Sequence, residues 1–284
     1  MGVGPATLAE LRRRGRMQGW LLDLVLPEIG GGRFTVQDLA GVDAPPRATA
    51  LRVSGLDQAS FEALVSRFGS RFSAIEFWKC PRVADLSPLE DLPHLRLVSF
   101  YWNQRATRLW DLRKTPELSG LHFDDFTRLH DLVDLAAATS LVDLEFGDAV
   151  WDQSVFESLE PLSALTDLRS LKLSAKKITD GRIEPLAALT QLESLTFSAR
   201  QFTTAQVAWL RAHSPDSLHS EALEPLRRIT PPLQGDHKKL DVLLVGKRKP
   251  FLNSIIDKAR IEKHVEQYEA MVARFRSDPS LPPG

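Results

Sequence analysis

The chain has 284 residues, of which 43% are hydrophobic and 26% charged, with a formal net charge of −1. That length can bury a substantial core in one large domain or two small ones, and the near-neutral balance provides no global field to draw the molecule to nucleic acid or to a membrane surface. One cysteine, Cys80, excludes an internal disulfide framework and any cysteine-rich zinc site within one chain.

From the N-terminus, Met1 and Gly2 open like a myristoylation signal, but Ala6 stands where Ser or Thr is required. Ala6 to Arg14 reads as a short helix. The basic run Arg12, Arg13, Arg14 and Arg16, followed by apolar Trp20 to Leu26, imitates a secretory leader. Asp23 interrupts that apolar stretch, which is far too short to span a bilayer, and Pro27 to Gly32 offers no cleavage site. Trp20 to Leu26 is therefore expected as a strand, with a further short element at Arg33 to Leu39 after the Gly30-Gly31-Gly32 turn. Residues 1–46 are expected to form an N-terminal cap. The lone thiol and the lack of a leader point to the cytoplasm, and the excess of arginine over lysine points to a GC-rich bacterial genome.

Residues 47–213 carry an internal repeat. Seven segments share an apolar triplet with the same two gaps: Ala48, Leu51, Val53; Phe72, Ile75, Phe77; Leu95, Val98, Phe100; Leu118, Leu121, Phe123; Leu141, Leu144, Phe146; Leu168, Leu171, Leu173; and Leu192, Leu195, Phe197. The middle members lie 24, 23, 23, 23, 27 and 24 residues apart. Residues two apart point to the same side of a strand. One such strand cannot bury its apolar side, but strands stacked at about 4.8 Å make a continuous core. Between the strands, apolar residues recur at every third position, as in Leu86, Leu89, Leu92, Leu95 and in Leu159, Leu162, Leu165, Leu168. Side chains three apart eclipse in a three-residue helical turn and form a narrow ridge, whereas a bundle of amphipathic helices would alternate three- and four-residue gaps. The 27-residue step is expected to add a longer helix around Ser154 to Leu159.

This pattern resembles the leucine-rich-repeat family, whose unit is L-x-x-L-x-L-x-x-N/C-x-L. The resemblance implies an α/β fold: a right-handed solenoid or horseshoe, with a curved parallel sheet on the concave side and short helices or turns on the convex side. The asparagine or cysteine of the family unit occurs here only as Cys80 and Asn103, so a regular polar ladder is not expected. Cys80 sits at a repeat position and reads as a buried structural thiol.

Residues 214–284 are expected as a C-terminal cap. Pro215 to Gly235 is turn-rich, Leu240 to Val245 reads as a buried strand, and Phe251 to Arg276 as a long helix. The stripe Ile261, Val265, Tyr268, Val272 and Phe275 would lie over the last coil. The Pro279 to Gly284 tail is expected to be disordered.

Motifs for catalysis are lacking. The seven histidines show no metal-type pairing, Gly246-Lys247-Arg248 departs from a phosphate loop, and there is no nucleophile elbow. No cofactor, metal or catalytic residue is expected. Nucleic-acid binding through Lys238, Lys239 and Lys247 to Lys249 is disfavoured by the near-neutral chain.

The residues between and just after the core positions would face the concave side. Two groups are conspicuous there. Trp78, Tyr101 and Trp102 place large aromatics on neighbouring strands, beside an acidic block of Asp124, Asp125, Asp143, Glu145 and Asp148 that only His122 offsets; Glu76 adds a further acid. Trp110, Trp151 and Trp209 fall at structural positions. Aromatics dominate interface hot spots, and acids steer basic partners. Asp124 and Glu145 could serve as paired carboxylates in acid–base chemistry, but an open sheet gives no dry pocket to raise one of them. The expectation is a non-enzymatic module that binds another protein or a basic peptide, the alternative being an immunity-type inhibitor of a basic enzyme or toxin.

Overall fold

The structure, a computed structural model, describes residues 4–14, 19–42, 47–150, 152–218, 220–234 and 239–284. The expectations attached to Met1, Gly2, Arg16, Trp151, His219, His237 and Lys238 lie outside the described residues.

The elements run α1 (Leu8–Arg12), β1 (Leu21–Leu24), α2 (Val36–Ala40), β2 (Ala50–Ser54), α3 (Gln58–Phe68), β3 (Ala74–Trp78), β4 (Leu97–Asn103), β5 (Gly120–Phe126) and β6 (Asp143–Gly147). There follow β7 (Val155–Phe156), β8 (Ser170–Ser174), β9 (Lys177–Ile178), β10 (Ser194–Thr196), α4 (Thr204–His213), β11 (Leu226–Gln234), β12 (Lys239–Leu244), β13 (Phe251–Leu252) and α5 (Lys258–Ser277). The main sheet is parallel, in the order β1-β2-β3-β4-β5-β6-β8-β10.

All seven repeat triplets place their middle member in this sheet. Leu51, Ile75, Val98, Leu121, Leu144, Leu171 and Leu195 stand directly opposite one another, as do Val53, Phe77, Phe100, Phe123, Phe146 and Leu173. Alternation sends both rows to one side, where they join a single buried cluster that runs from Phe34 to Phe275. Within it Phe77 stacks on Phe100 at 4.7 Å and Phe123 on Phe146 at 5.2 Å.

The three-residue leucine spacing is a hydrogen-bond ladder. The amide of Leu89 donates to the Leu86 carbonyl, Leu92 to Leu89, and Leu95 to Leu92, at 3.0–3.1 Å. The same chain of bonds links Leu159, Leu162, Leu165 and Leu168, and Ile183, Leu186, Leu189 and Leu192. Each leucine of the ridge thus closes one 3-10 turn and begins the next. Proline occupies the first turn of Ser87–Asp91, Glu160–Ala164 and Glu184–Ala188, where a missing N–H costs nothing.

Polar groups seal the coils at particular points. Asn103 Nδ2 donates to the carbonyls of Val83 (2.9 Å) and Cys80 (3.4 Å), and its Oδ1 accepts from the amides of Arg105 and Ala106 at 2.9 Å. Cys80 is buried, and burial pushes its thiol up to about 12, as suits a structural thiol.

Four expectations are corrected. The extra residues of the 27-residue coil form β7 rather than a helix. Asp148 Oδ1 accepts from the amides of Gln153 and Ser154 and from the Ser154 hydroxyl, which aligns Val155 and Phe156 to pair with β9. The segment expected as turn-rich contains β11, antiparallel to β12; Pro231 and Pro232, which lack an N–H, fall in the register shift between Arg228 and Leu233. The long helix starts at Lys258, not Phe251. Phe251 and Leu252 pair with β12, and Asn253 Oδ1 accepts from the amides of Ile255 and Ile256 in the intervening turn. The C-terminal tail is tied down: Trp209 Nε1 donates to the Leu281 carbonyl at 2.9 Å, and Pro283 is buried. Trp209 itself stacks on His213, and Trp110 is buried with its Nε1 donating to Thr115 Oγ1.

Among the described residues no helix is long and apolar enough to cross a membrane. Replacing Asn103 by Ala leaves the buried Ala106 amide and Val83 carbonyl without their partner, at about 1–3 kcal/mol for each, while the part-buried Arg105 amide can turn to water and the Cys80 carbonyl keeps the Val83 amide. Urea unfolding of Asn103→Ala should show a loss of about 2–4 kcal/mol, and a midpoint equal to wild type would contradict the assigned role.

Candidate functional site

The second face of the sheet, turned away from the leucine core, carries the residues singled out in the sequence. It is not open along its length. Thr7 caps α1 by accepting from the Glu10 amide, and Leu8 and Leu11, three apart, share one side of the short helix. That side lies against β3, β4 and β5. It buries a separate small cluster of Leu8, Leu11, Ala50, Ala74 and Leu97, flanked by Trp20 and Leu21. The strand residues beneath are mostly small. At Gly120 an added Cβ would come within 3.1 Å of Leu8 Cγ and 2.7 Å of Leu97 Cδ2, so the helix needs a glycine there.

Charge completes the attachment. Arg52, on β2, is 3% exposed. Its Nη2 donates to the carbonyls of Leu11 (2.7 Å) and Arg13 (3.0 Å), satisfying groups that the end of α1 leaves unpaired. Its Nε reaches Glu76 at 2.6 Å and its Nη1 reaches Asp23 at 3.1 Å. Arg14 pairs with the other oxygen of Glu76 at 2.6 Å and lays its guanidinium 4.4 Å from the centre of the Trp78 ring. Arg12 pairs with Glu145 at 2.5 Å, and Lys172 takes the remaining Glu145 oxygen.

The sequence-predicted residues divide into three groups, with Asp143 standing apart, half-buried at the start of β6. Trp78 and Tyr101 stack at 4.1 Å with 10° between their planes and stay partly exposed, as does Trp102; Lys79 Nζ lies 5.5 Å and 5.9 Å from the two tryptophan rings. Glu76, His122, Asp124 and Glu145 come together beneath or beside the N-terminal segment. The expectation of an acidic block in open solvent is corrected for these residues, because α1 and its arginines cover and neutralise them. Asp125 and Asp148 serve the coil turns instead: Asp125 Oδ1 accepts from the amides of Ala149 and Val150, and Asp148 anchors the loop before β7.

His122 is fully buried. Its Nδ1 lies 2.8 Å from Ser99 Oγ, and its Nε2 lies 2.8 Å from Asp124 Oδ2 without the alignment of a hydrogen bond. One ligand-type atom from each of His122, Asp124 and Glu145 lies within 4.8 Å of the other two. Burial works against ionisation of Asp124, but contact with His122 and the charges of Arg12 and Lys172 hold its carboxyl below the ordinary value. Glu145 is likewise buried and likewise held low, by Lys172, His122 and Arg12. Asp143, at the start of β6, is raised by burial and by repulsion from Glu145.

Sequence reasoning missed the occupant of this face, Leu8, Leu11, Arg12 and Arg14, and the pairing of Arg52 with Glu76 and Asp23 and of Lys172 with Glu145. Two signals pointed to it. The basic run suggested only a leader peptide, and the row Ala50, Ala74, Leu97, Gly120 carries small residues at three of its four positions on this face.

Parallel strands in register, joined by leucine-spaced 3-10 turns and closed at Asn103, decide the architecture. The fold is a leucine-rich-repeat solenoid. No family model matches the sequence, and no curated protein matches it. Among solved structures, the repeat chain is similar to internalin C2 from Listeria monocytogenes, with 21% identity over 57% of this chain and a TM-score of 0.43. It is also similar to a second Listeria monocytogenes internalin (inlF), with 17% identity over 66% of this chain and a TM-score of 0.41. The match covers 66% and 55% of those two chains, less than two thirds of either.

The lowered Asp124 and Glu145 set a pH dependence. A carboxyl held below its unfolded value stabilises the folded state above that value and loses its contribution as pH falls through the folded one. The raised Asp143 acts in the opposite sense. The N-terminal segment should therefore stay docked at pH 5–7 and loosen below about pH 4. Amide hydrogen exchange at residues 8–12, followed against pH, checks this; release already near pH 6 would contradict it. Replacing Arg52 by Ala removes one of the two cations on buried Glu76 and the donor to two carbonyls, and should cost about 2–4 kcal/mol in denaturant unfolding, with Arg14 still paired to Glu76.

Proposed function

We propose that this solenoid is a non-enzymatic protein-binding module, and that the aromatic end of its outer sheet face receives an arginine-bearing segment of another protein. One observation carries the reading: the chain's own Arg12 and Arg14 already occupy that face. Arg14 adopts the paired contact, carboxylate on one side and indole on the other, by which arginine is bound at interfaces. Trp78, Tyr101 and Trp102 remain partly exposed next to it, and such rigid aromatics lose little entropy when a partner covers them.

The state of Asp124 and Glu145 argues against that particular pair as an acid and a base. Paired acid–base chemistry needs one carboxyl raised and one lowered. Asp124 and Glu145 are both lowered, because the same cations serve both. An immunity-type inhibitor of a basic enzyme is a narrower form of the same proposal. It draws less support, since Arg12, Arg14, Arg52 and Lys172 already neutralise much of the acidic surface.

A labelled peptide with the sequence of residues 4–14, GPATLAELRRR, serves as a probe in trans. It should bind the Arg12→Ala/Arg14→Ala chain, whose own segment holds less firmly, more tightly than it binds wild type. Adding Trp78→Ala should weaken that binding by about tenfold, the effect of losing a hot-spot contact worth over 1 kcal/mol, without moving the melting temperature by more than a few degrees. Absence of binding by every arginine-rich peptide tried would end the proposal.

A further inference from the structure

We infer that His122, Asp124 and Glu145 form a binding site for a zinc(II) ion on the outer face of the sheet. Strand geometry brings the three together. His122 and Asp124 are two apart on β5 and so point to the same side, and Glu145 on β6 stands directly opposite His122. One donor atom from each lies within 4.8 Å of the others. A ligand shift of about 1 Å would bring them to the separations of a tetrahedral zinc site, leaving a position for water. One imidazole and two carboxylates suit a divalent ion of intermediate softness, and their two negative charges cancel its charge.

The independent sign of a missing ligand is the imidazole. His122 is 0% exposed, and its Nε2 faces Asp124 Oδ2 at 2.8 Å, inside the proposed site, without the alignment of a hydrogen bond. A buried ring nitrogen left in that state is costly. The opposite nitrogen is held by Ser99 Oγ, the kind of outer partner that fixes the orientation of a metal-binding histidine and leaves Nε2 to coordinate. Arg12 and Lys172 occupy the two oxygens of Glu145, so they compete with the ion for that carboxylate. Metal binding and docking of the Arg12 segment therefore oppose each other, and the ion competes with the chain's own N-terminal segment for this face.

The test is calorimetric titration of the full-length, chelator-treated chain with zinc chloride. One ion per chain should bind. Glu145→Gln and His122→Ala should each weaken it by at least about tenfold, and Ser99→Ala by about tenfold through the loss of orientation. Arg12→Ala should strengthen it, because a competing cation is gone. His94→Ala, at the exposed His94–Glu117 pair, should change nothing. Because His122 is buried and its replacement can disturb folding, the more exposed Glu145→Gln variant decides if His122→Ala does not fold. No zinc uptake by wild type, or uptake equal in wild type and Glu145→Gln, overturns the assignment; loss of uptake on His94→Ala alone does so too, by placing the ion at the surface pair.

Discussion

The register of the parallel sheet governs everything else in this molecule. Each coil must begin its strand at the same height as the last, because the row Leu51 to Leu195 can be buried only if equivalent side chains stack at about 4.8 Å. Once that register is set, alternation leaves no freedom in the second face: Arg52, Glu76, Ser99, His122, Glu145 and Lys172 are bound to stand in one row across it. The charged network and the aromatic stack are consequences of a packing constraint on the opposite side of the sheet.

Such a row of titratable groups on adjacent strands is crowded by construction, and the chain resolves the crowding with its own N-terminus. A helix of five residues is too short to hold itself together in water. Its stability comes from Leu8 and Leu11 against the small residues of the strands, and from Arg52 at its carbonyl end. In return it brings in Arg12 and Arg14, which settle the charges of Glu76 and Glu145. The contact is reciprocal, and its polar half weakens with acid and with salt while its apolar half does not.

The solenoid was legible because its signals are local and repeated. The gaps within each triplet set the strands, and the three-residue leucine spacing set the 3-10 turns, so both periodicities reinforced each other over seven coils. Where the pattern lapsed, legibility lapsed with it. The segment at 154–159 contains no alternation long enough to distinguish strand from helix, and only the carboxylate of Asp148 decides it. Pro231 and Pro232 concealed β11, since a proline pair ordinarily argues against a strand unless a bulge lies there. The site was half legible: alternation put Trp78 and Tyr101, and likewise His122, Asp124 and Glu145, on one face, but neither the left-handed backbone at Trp102, nor the close meeting of His122, Asp124 and Glu145, nor their covering followed from it.

The sequence alone determined which side chains share a face, because alternation along a strand and equal spacing between coils are properties of neighbouring residues. Tertiary structure alone decided which part of that face meets solvent. Arg12 and Glu145 stand 133 residues apart, and no periodicity links them. Their meeting depends on the length of the connection into β1, on the small side chains under Leu8, and on the unpaired carbonyls that Arg52 captures, which are contacts that exist only once the sheet has formed.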